Sequence, residues 1–124
     1  MKTARSILVV DDDPGVRLVL EGLLGSAGYR VRAAADGRAA LQLYRQAPAD
    51  LVLMDLIMPE QEGLETISQL RQEFPEARIV AMSGAHPDHY LHAAGLLGAD
   101  ATLHKPFGPK EPLRTIARVL EEFH

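Results

Sequence analysis

Short apolar runs alternate along the chain with stretches whose apolar residues recur every three or four positions. ILVV (7–10), LVLM (51–54) and IVAM (79–82) are continuous and apolar, as expected of strands buried on both faces. ATLH (101–104) reads as a further strand, and YRVRAAA (29–35) as a weaker one near a sheet edge. Helical spacing follows each run. It is carried by Val16, Val19, Leu20, Leu23 and Leu24, then by Ala39, Ala40, Leu43 and Tyr44, then by Leu64, Ile67, Leu70 and Phe74. An Ala- and Leu-rich segment (88–97) predicts a fourth helix, and Pro112, Leu113, Ile116, Ala117 and Leu120 predict the last.

The punctuation agrees. Asp13 caps a first helix that begins at Pro14, and Gly25 and Gly28 mark its end. Asp36 caps the second helix and Pro48 stops it, while the third ends before Pro75. A strand–helix unit repeated five times predicts an α/β fold: a parallel sheet with helices on both faces.

At 124 residues the chain fits one domain over 1–124, long enough to bury a core without staples. It has no cysteine, which excludes a disulfide framework and thiol chemistry. No apolar run approaches the roughly 20 residues of a membrane span. The start, MKTARSILVVDDD, lacks the pattern of a signal peptide, so a cytoplasmic protein is expected. A net charge of −4 gives no general attraction to nucleic acid.

In a parallel sheet, ligands lie beyond the carboxyl ends of the strands. The first strand ends in Asp11, Asp12 and Asp13, the third in Asp55, the fourth in Ser83 and Gly84, and the fifth in His104, Lys105 and Pro106. Asp55 interrupts the apolar run LVLMDLIMP, where a carboxylate is costly to bury without a partner. Clustered carboxylates repel unless a cation sits among them, and a hard divalent ion such as Mg²⁺ takes carboxylate and phosphate oxygens together. Lys105 adds a fixed positive charge and Ser83 a hydroxyl. This set suits a carboxylate that accepts a phosphoryl group. Each residue alone has a plainer reading: acids at a strand end cap helices or form turns, and a lone Ser or Lys there is ordinary surface chemistry. It is the joint pattern on four strand ends that carries the chemistry.

The segments ILVVDDDPGVR, LVLMDLIMPEQEGLE, IVAMSG and LHKPF, in this order, resemble the response-regulator receiver domain of two-component signalling over essentially the whole chain. The resemblance implies a flavodoxin-like sheet of order 2-1-3-4-5 and a signalling phosphoacceptor rather than an enzyme. It implies Asp55 as phosphoacceptor, Asp11 and Asp12 as the acidic pair for Mg²⁺ (or Mn²⁺) with Asp12 the more direct ligand, and the backbone carbonyl of Ile57 as a further ligand. It also implies Ser83 as a switch hydroxyl and Lys105 as the lysine that contacts the phosphoryl group, with the Lys105–Pro106 bond cis in many relatives. The implied partners are a histidine kinase or phosphotransfer protein and an output domain or partner on the face of helix four, strand five and helix five. A phosphorylation-dependent dimer, no membrane contact and no direct nucleic-acid binding belong to the same expectation. The chain is either a stand-alone regulator or the N-terminal module of something larger.

Two positions depart from the family pattern. Thr102 stands where relatives usually carry Tyr or Phe, so the coupling of the switch hydroxyl to an aromatic ring is replaced by another route. Ile57 is apolar at a position that governs water access to the phosphoryl group, which predicts slow autodephosphorylation. Two other functions compete: a Mg²⁺-dependent phosphatase with an aspartyl nucleophile, which needs a second acid where Ile57 stands, and a pseudo-receiver that binds without phosphorylation. His86, His89 and His92 have the spacing of metal ligands on one helix face, but His86 precedes Pro87 and no acid or Cys completes the set. Gly63 is expected to ease the turn into the third helix.

Overall fold

The computed structural model describes residues 4–56, 62–84 and 87–122. The elements alternate in chain order: β1 (Ser6–Val10), α1 (Pro14–Ser26), β2 (Arg30–Ala34), α2 (Gly37–Gln46), β3 (Leu51–Asp55), α3 (Glu62–Glu73), β4 (Ile79–Ser83), α4 (Pro87–Leu97), β5 (Ala101–His104) and α5 (Lys110–Glu122). All strand pairs are parallel and the sheet order is β2-β1-β3-β4-β5. The fold is the α/β parallel sheet with helices on both faces that the alternation predicts, in the flavodoxin-like order that the resemblance implies.

Successive strand residues point to opposite faces, so each apolar run feeds two cores. Leu8, Val10, Val52, Met54, Ile79 and Ala81 pack with Tyr44, Ile67, Leu70 and Ala94 from α2, α3 and α4. Ile7, Val9, Leu51, Leu53, Val80 and Met82 pack with Leu20, Leu24, Ile116 and Val119 from α1 and α5. β3 is buried along its whole length, and burying each large side chain contributes roughly 1.5–3 kcal/mol. The weak second strand is the edge strand, with Arg30 exposed.

The caps also follow the sequence. Asp13 accepts from the backbone N–H groups of Gly15 and Val16, and Asp36 accepts from that of Ala39. Gly28 has φ +98°, the left-handed conformation that closes α1, whereas Gly25 belongs to the helix itself. Gly63 has a further, steric role. It lies inside α3, and a Cβ there would come within 2.5 Å of the Asp55 carbonyl oxygen and 2.6 Å of the Leu56 Cα. Its bare backbone permits close approach of helix and strand end, and the segment that leads into α3 lies outside the described residues.

Candidate functional site

The sheet brings the expected residues to one edge. Asp11 follows β1, Asp55 and Ser83 close β3 and β4, and Lys105 follows β5. Asp11, Asp55 and Ser83 are buried, and Asp12 is exposed. The ladder fixes their heights: Asp55 pairs with Met82 and Ser83 with His104, while the Lys105 N–H donates to the Ser83 carbonyl at 2.9 Å.

Asp11 is held from every side. Its N–H donates to the Ala34 carbonyl at 3.1 Å. Its Oδ1 accepts from the Asp13 N–H at 3.0 Å, and its Oδ2 accepts from Lys105 Nζ at 2.9 Å. Its carbonyl accepts from Arg17 Nη1 at 2.8 Å. Lys105 Nζ also lies 3.4 Å from Asp55 Oδ1, so one ammonium bridges the two buried carboxylates. Burial pulls that ammonium toward its neutral form, but the hydrogen bond to Asp11 and the charges of Asp55 and Asp11 outweigh it; the Lys105 pKa lies above the ordinary lysine value. The lysine stem runs beside Gly84, where an added Cβ would lie 3.1 Å from Lys105 Cβ.

Asp11, Asp12 and Asp55 each offer a carboxylate oxygen, and these atoms all lie within 4.8 Å of one another. Mg²⁺ is a hard cation that takes carboxylate oxygens, so the chemistry of this donor set fits it. Ile57, the carbonyl ligand implied by resemblance, lies outside the described residues. So do His86 and the side chains of His89 and Tyr90. The Lys105–Pro106 peptide is cis. Thr102, Leu96 and Leu97 are exposed, Leu91 packs against the core and Leu103 is buried.

The sequence reading assigns no role to Arg17, which stands one turn into α1 and reaches back to the acid-bearing loop. Its signal was a basic residue six positions after Asp11 in DDDPGVR, close enough on a helix start to return to the strand end.

Residues 7–117 match the family described as the response regulator receiver domain, and the chain belongs to that family. It is 40% identical over 117 residues to a probable transcriptional regulator, ycf27, of Porphyridium aerugineum, covering 92% of this chain and 47% of the relative. It is 31% identical over 116 residues to the chemotaxis protein CheY of Thermotoga maritima, covering 93% of this chain and 97% of the relative. The chain thus spans about half of the first relative and nearly all of the second. Among solved structures, the Vibrio cholerae chemotaxis protein CheY4 superposes with a TM-score of 0.88 at 31% identity, covering 94% of this chain and 99% of that one. Receiver domains of two-component response regulators are signalling phosphoacceptors that bind Mg²⁺ at acidic residues. Among the described residues, no helix is long and apolar enough to cross a membrane.

Proposed function

We propose that this chain accepts a phosphoryl group on Asp55 from the phosphohistidine of a histidine kinase or phosphotransfer protein. The observation that supports this reading is the single ammonium of Lys105 bridging Asp11 and Asp55, with Asp12 close enough to complete a metal cradle. An Asp55 carboxylate oxygen attacks phosphorus, the P–N bond to the donor imidazole breaks, and the ring nitrogen leaves with the electron pair. Asp11, Asp12, Asp55 and the Ile57 carbonyl would hold Mg²⁺, or Mn²⁺ in its place. The ion supplies positive charge against the oxygens of the transferring group. Lys105 is held at the same edge by Asp11 and supplies a second, fixed charge to those oxygens. Ser83, at the end of β4, supplies a hydroxyl donor. Donor contacts that exist only after phosphorylation bias the equilibrium between two conformations.

The output leaves through α4, β5 and α5, where Leu96 is 77% exposed and Thr102 takes the place of the usual ring. That face suits an output domain, a partner or a second phosphorylated copy in the cytoplasm, without membrane or direct nucleic-acid contact. Ile57 slows loss of the phosphoryl group by keeping water from it.

Intact-mass measurement after incubation with acetyl phosphate and Mg²⁺ tests the assignment. One phosphoryl adduct on the wild type and none on Asp55→Asn is expected; an equal adduct on both refutes Asp55 as acceptor. The acyl-phosphate half-life of the wild type should exceed that of Ile57→Asn, and equal half-lives would remove the role given to Ile57.

A further inference from the structure

Between α2 and α3 lies a cleft of about 570 Å³ that the phosphoacceptor chemistry does not use. Arg38, Gln42 and Arg45 share one face of α2 and line one wall. Glu65, Thr66 and Gln69 of α3 line the other, and Leu41 is the one large apolar side chain at the cleft. The two arginines differ in their freedom. Arg45 is held by Glu73, through Nε at 2.9 Å and Nη2 at 2.7 Å. Arg38 and Glu65 stand exposed on opposite walls, and among the described residues neither forms an ion pair. Thr66 is 3% exposed, and no described residue hydrogen-bonds its hydroxyl. Among the described residues, no side-chain oxygen or nitrogen sealed from solvent lacks a partner, so this hydroxyl keeps an opening to the cleft that the residue lines.

We propose that this cleft binds a small zwitterion: an α-amino acid whose side chain ends in an amide or hydroxyl group. The ligand carboxylate lies on the Arg38 guanidinium, whose planar fork matches a carboxylate with two parallel donors. The ligand ammonium lies on the Glu65 carboxylate across the cleft. Gln42 and Gln69 stand one turn further along their helices, and their amides, with the Thr66 hydroxyl, take the polar side chain. All three groups both donate and accept, which suits an amide or a hydroxyl equally. The charge balance selects the class. A simple anion would meet Glu65, a simple cation would meet Arg38, and a ligand that carries both charges answers each. An apolar ligand finds little beyond Leu41 to bury against. The cleft volume lies within the range of small-molecule sites.

The test is a titration with L-glutamine, read by the backbone amide shifts of α2 and α3, on the wild type, Arg38→Gln, Glu65→Gln and Arg30→Gln. All three substituted side chains are exposed, so the fold tolerates the changes. Arg30 is the control: it carries the same charge as Arg38 but does not line the cleft. Saturation of the wild type with a dissociation constant of about 1 mM or tighter is expected. Arg38→Gln and Glu65→Gln should each weaken binding about tenfold, and Arg30→Gln should bind as the wild type does. N-acetyl-L-glutamine, which lacks the ammonium, and L-glutamine amide, which lacks the carboxylate, should bind the wild type about tenfold more weakly. Absence of a saturable shift up to about 10 mM L-glutamine would overturn the proposal, as would binding that both cleft variants leave intact. Glutarate, with two carboxylates and no ammonium, separates a zwitterion site from an anion site: binding as tight as that of L-glutamine would overturn the assignment.

Discussion

The guanidinium of Arg17 donates to the backbone carbonyl of Asp11 at 2.8 Å, and so ties the first turn of α1 to the strand end that presents the acidic pair. The contact touches no carboxylate. It fixes where the Asp11 and Asp12 side chains start from, and outer contacts of this kind affect metal affinity through ligand placement. Arg17→Gln should weaken Mg²⁺ binding about tenfold, read by calorimetric titration of folded protein. Arg17→Lys, which keeps a charged donor, should recover part of the loss. If Arg17 served stability alone, the melting temperature would fall while the Mg²⁺ affinity stayed at the wild-type value.

Lys105 sets its single positive charge between two buried carboxylates. Replacing it with Met leaves those charges facing each other, and removing one partner of a buried pair is expensive. The lysine side chain keeps 23% exposure, which screens part of that cost, so a loss of about 2–3 kcal/mol at neutral pH is expected for Lys105→Met without Mg²⁺. Added Mg²⁺ should restore part of it. The folded pKa of Lys105 is raised, so its stabilising effect is complete below the ordinary value of 10.5 and fades as pH rises through the higher folded value. Denaturant melts of wild type and variant should therefore differ by a constant amount up to about that pH and converge above it. A gap that widened with alkalinity would contradict this account.

At the opposite edge of the sheet, Arg71 joins three segments. It donates to the carbonyls of Pro75 at 2.6 Å, Ala77 at 2.7 Å and Gly98 at 2.7 Å, and to Asp100 Oδ2 at 3.3 Å. Asp100 Oδ2 in turn accepts from the Ile79 N–H at 2.8 Å, so the end of α4 is fastened to the start of β4. Lysine cannot reproduce a planar fork of donors, and Arg71→Lys should cost about 1.5–3 kcal/mol and speed amide exchange around Gly98. Arg45, paired with Glu73 at 2.7 Å in the open, is the contrast: Arg45→Lys should leave the melting temperature nearly unchanged. Equal effects of the two substitutions would show that the fork at Arg71 carries no special weight.

The division between what could be read from the chain and what could not follows the physics of each residue. ILVV, LVLM and IVAM announce strands because burial on both faces demands continuous apolar sequence. Asp55 and Ser83 announce a site because polar groups ending such runs need partners. The same two residues blur the boundaries: both belong to the strand ladder although their polarity suggests that the strand has stopped. β2 reads weakly because an edge strand, exposed at Arg30, need not be apolar throughout. The backbone contacts of Arg17 and Gly63 are not carried by the apolar periodicity. Each acts through a backbone atom of a residue distant in sequence or separated by a loop, and no periodicity encodes that encounter.

Gly63 gives the most direct test of that encounter, because two effects of opposite sign compete. Glycine inside a helix is normally a weakness, and replacement by alanine gains about 0.5–1 kcal/mol. Gly22, in the middle of α1, has nothing within 4 Å of an added Cβ, so Gly22→Ala should show that gain as a raised melting temperature. At Gly63 the added methyl would meet the Asp55 carbonyl at 2.5 Å and the Leu56 Cα at 2.6 Å, both backbone atoms that cannot swing aside. Overpacking of this kind outweighs the helix term, and Gly63→Ala should destabilise by about 2–3 kcal/mol. Since the displaced backbone belongs to Asp55, surviving folded protein should also bind Mg²⁺ more weakly, whereas Gly22→Ala should bind as the wild type does. A Gly63→Ala protein with wild-type stability and metal affinity would show that α3 does not constrain the position of Asp55.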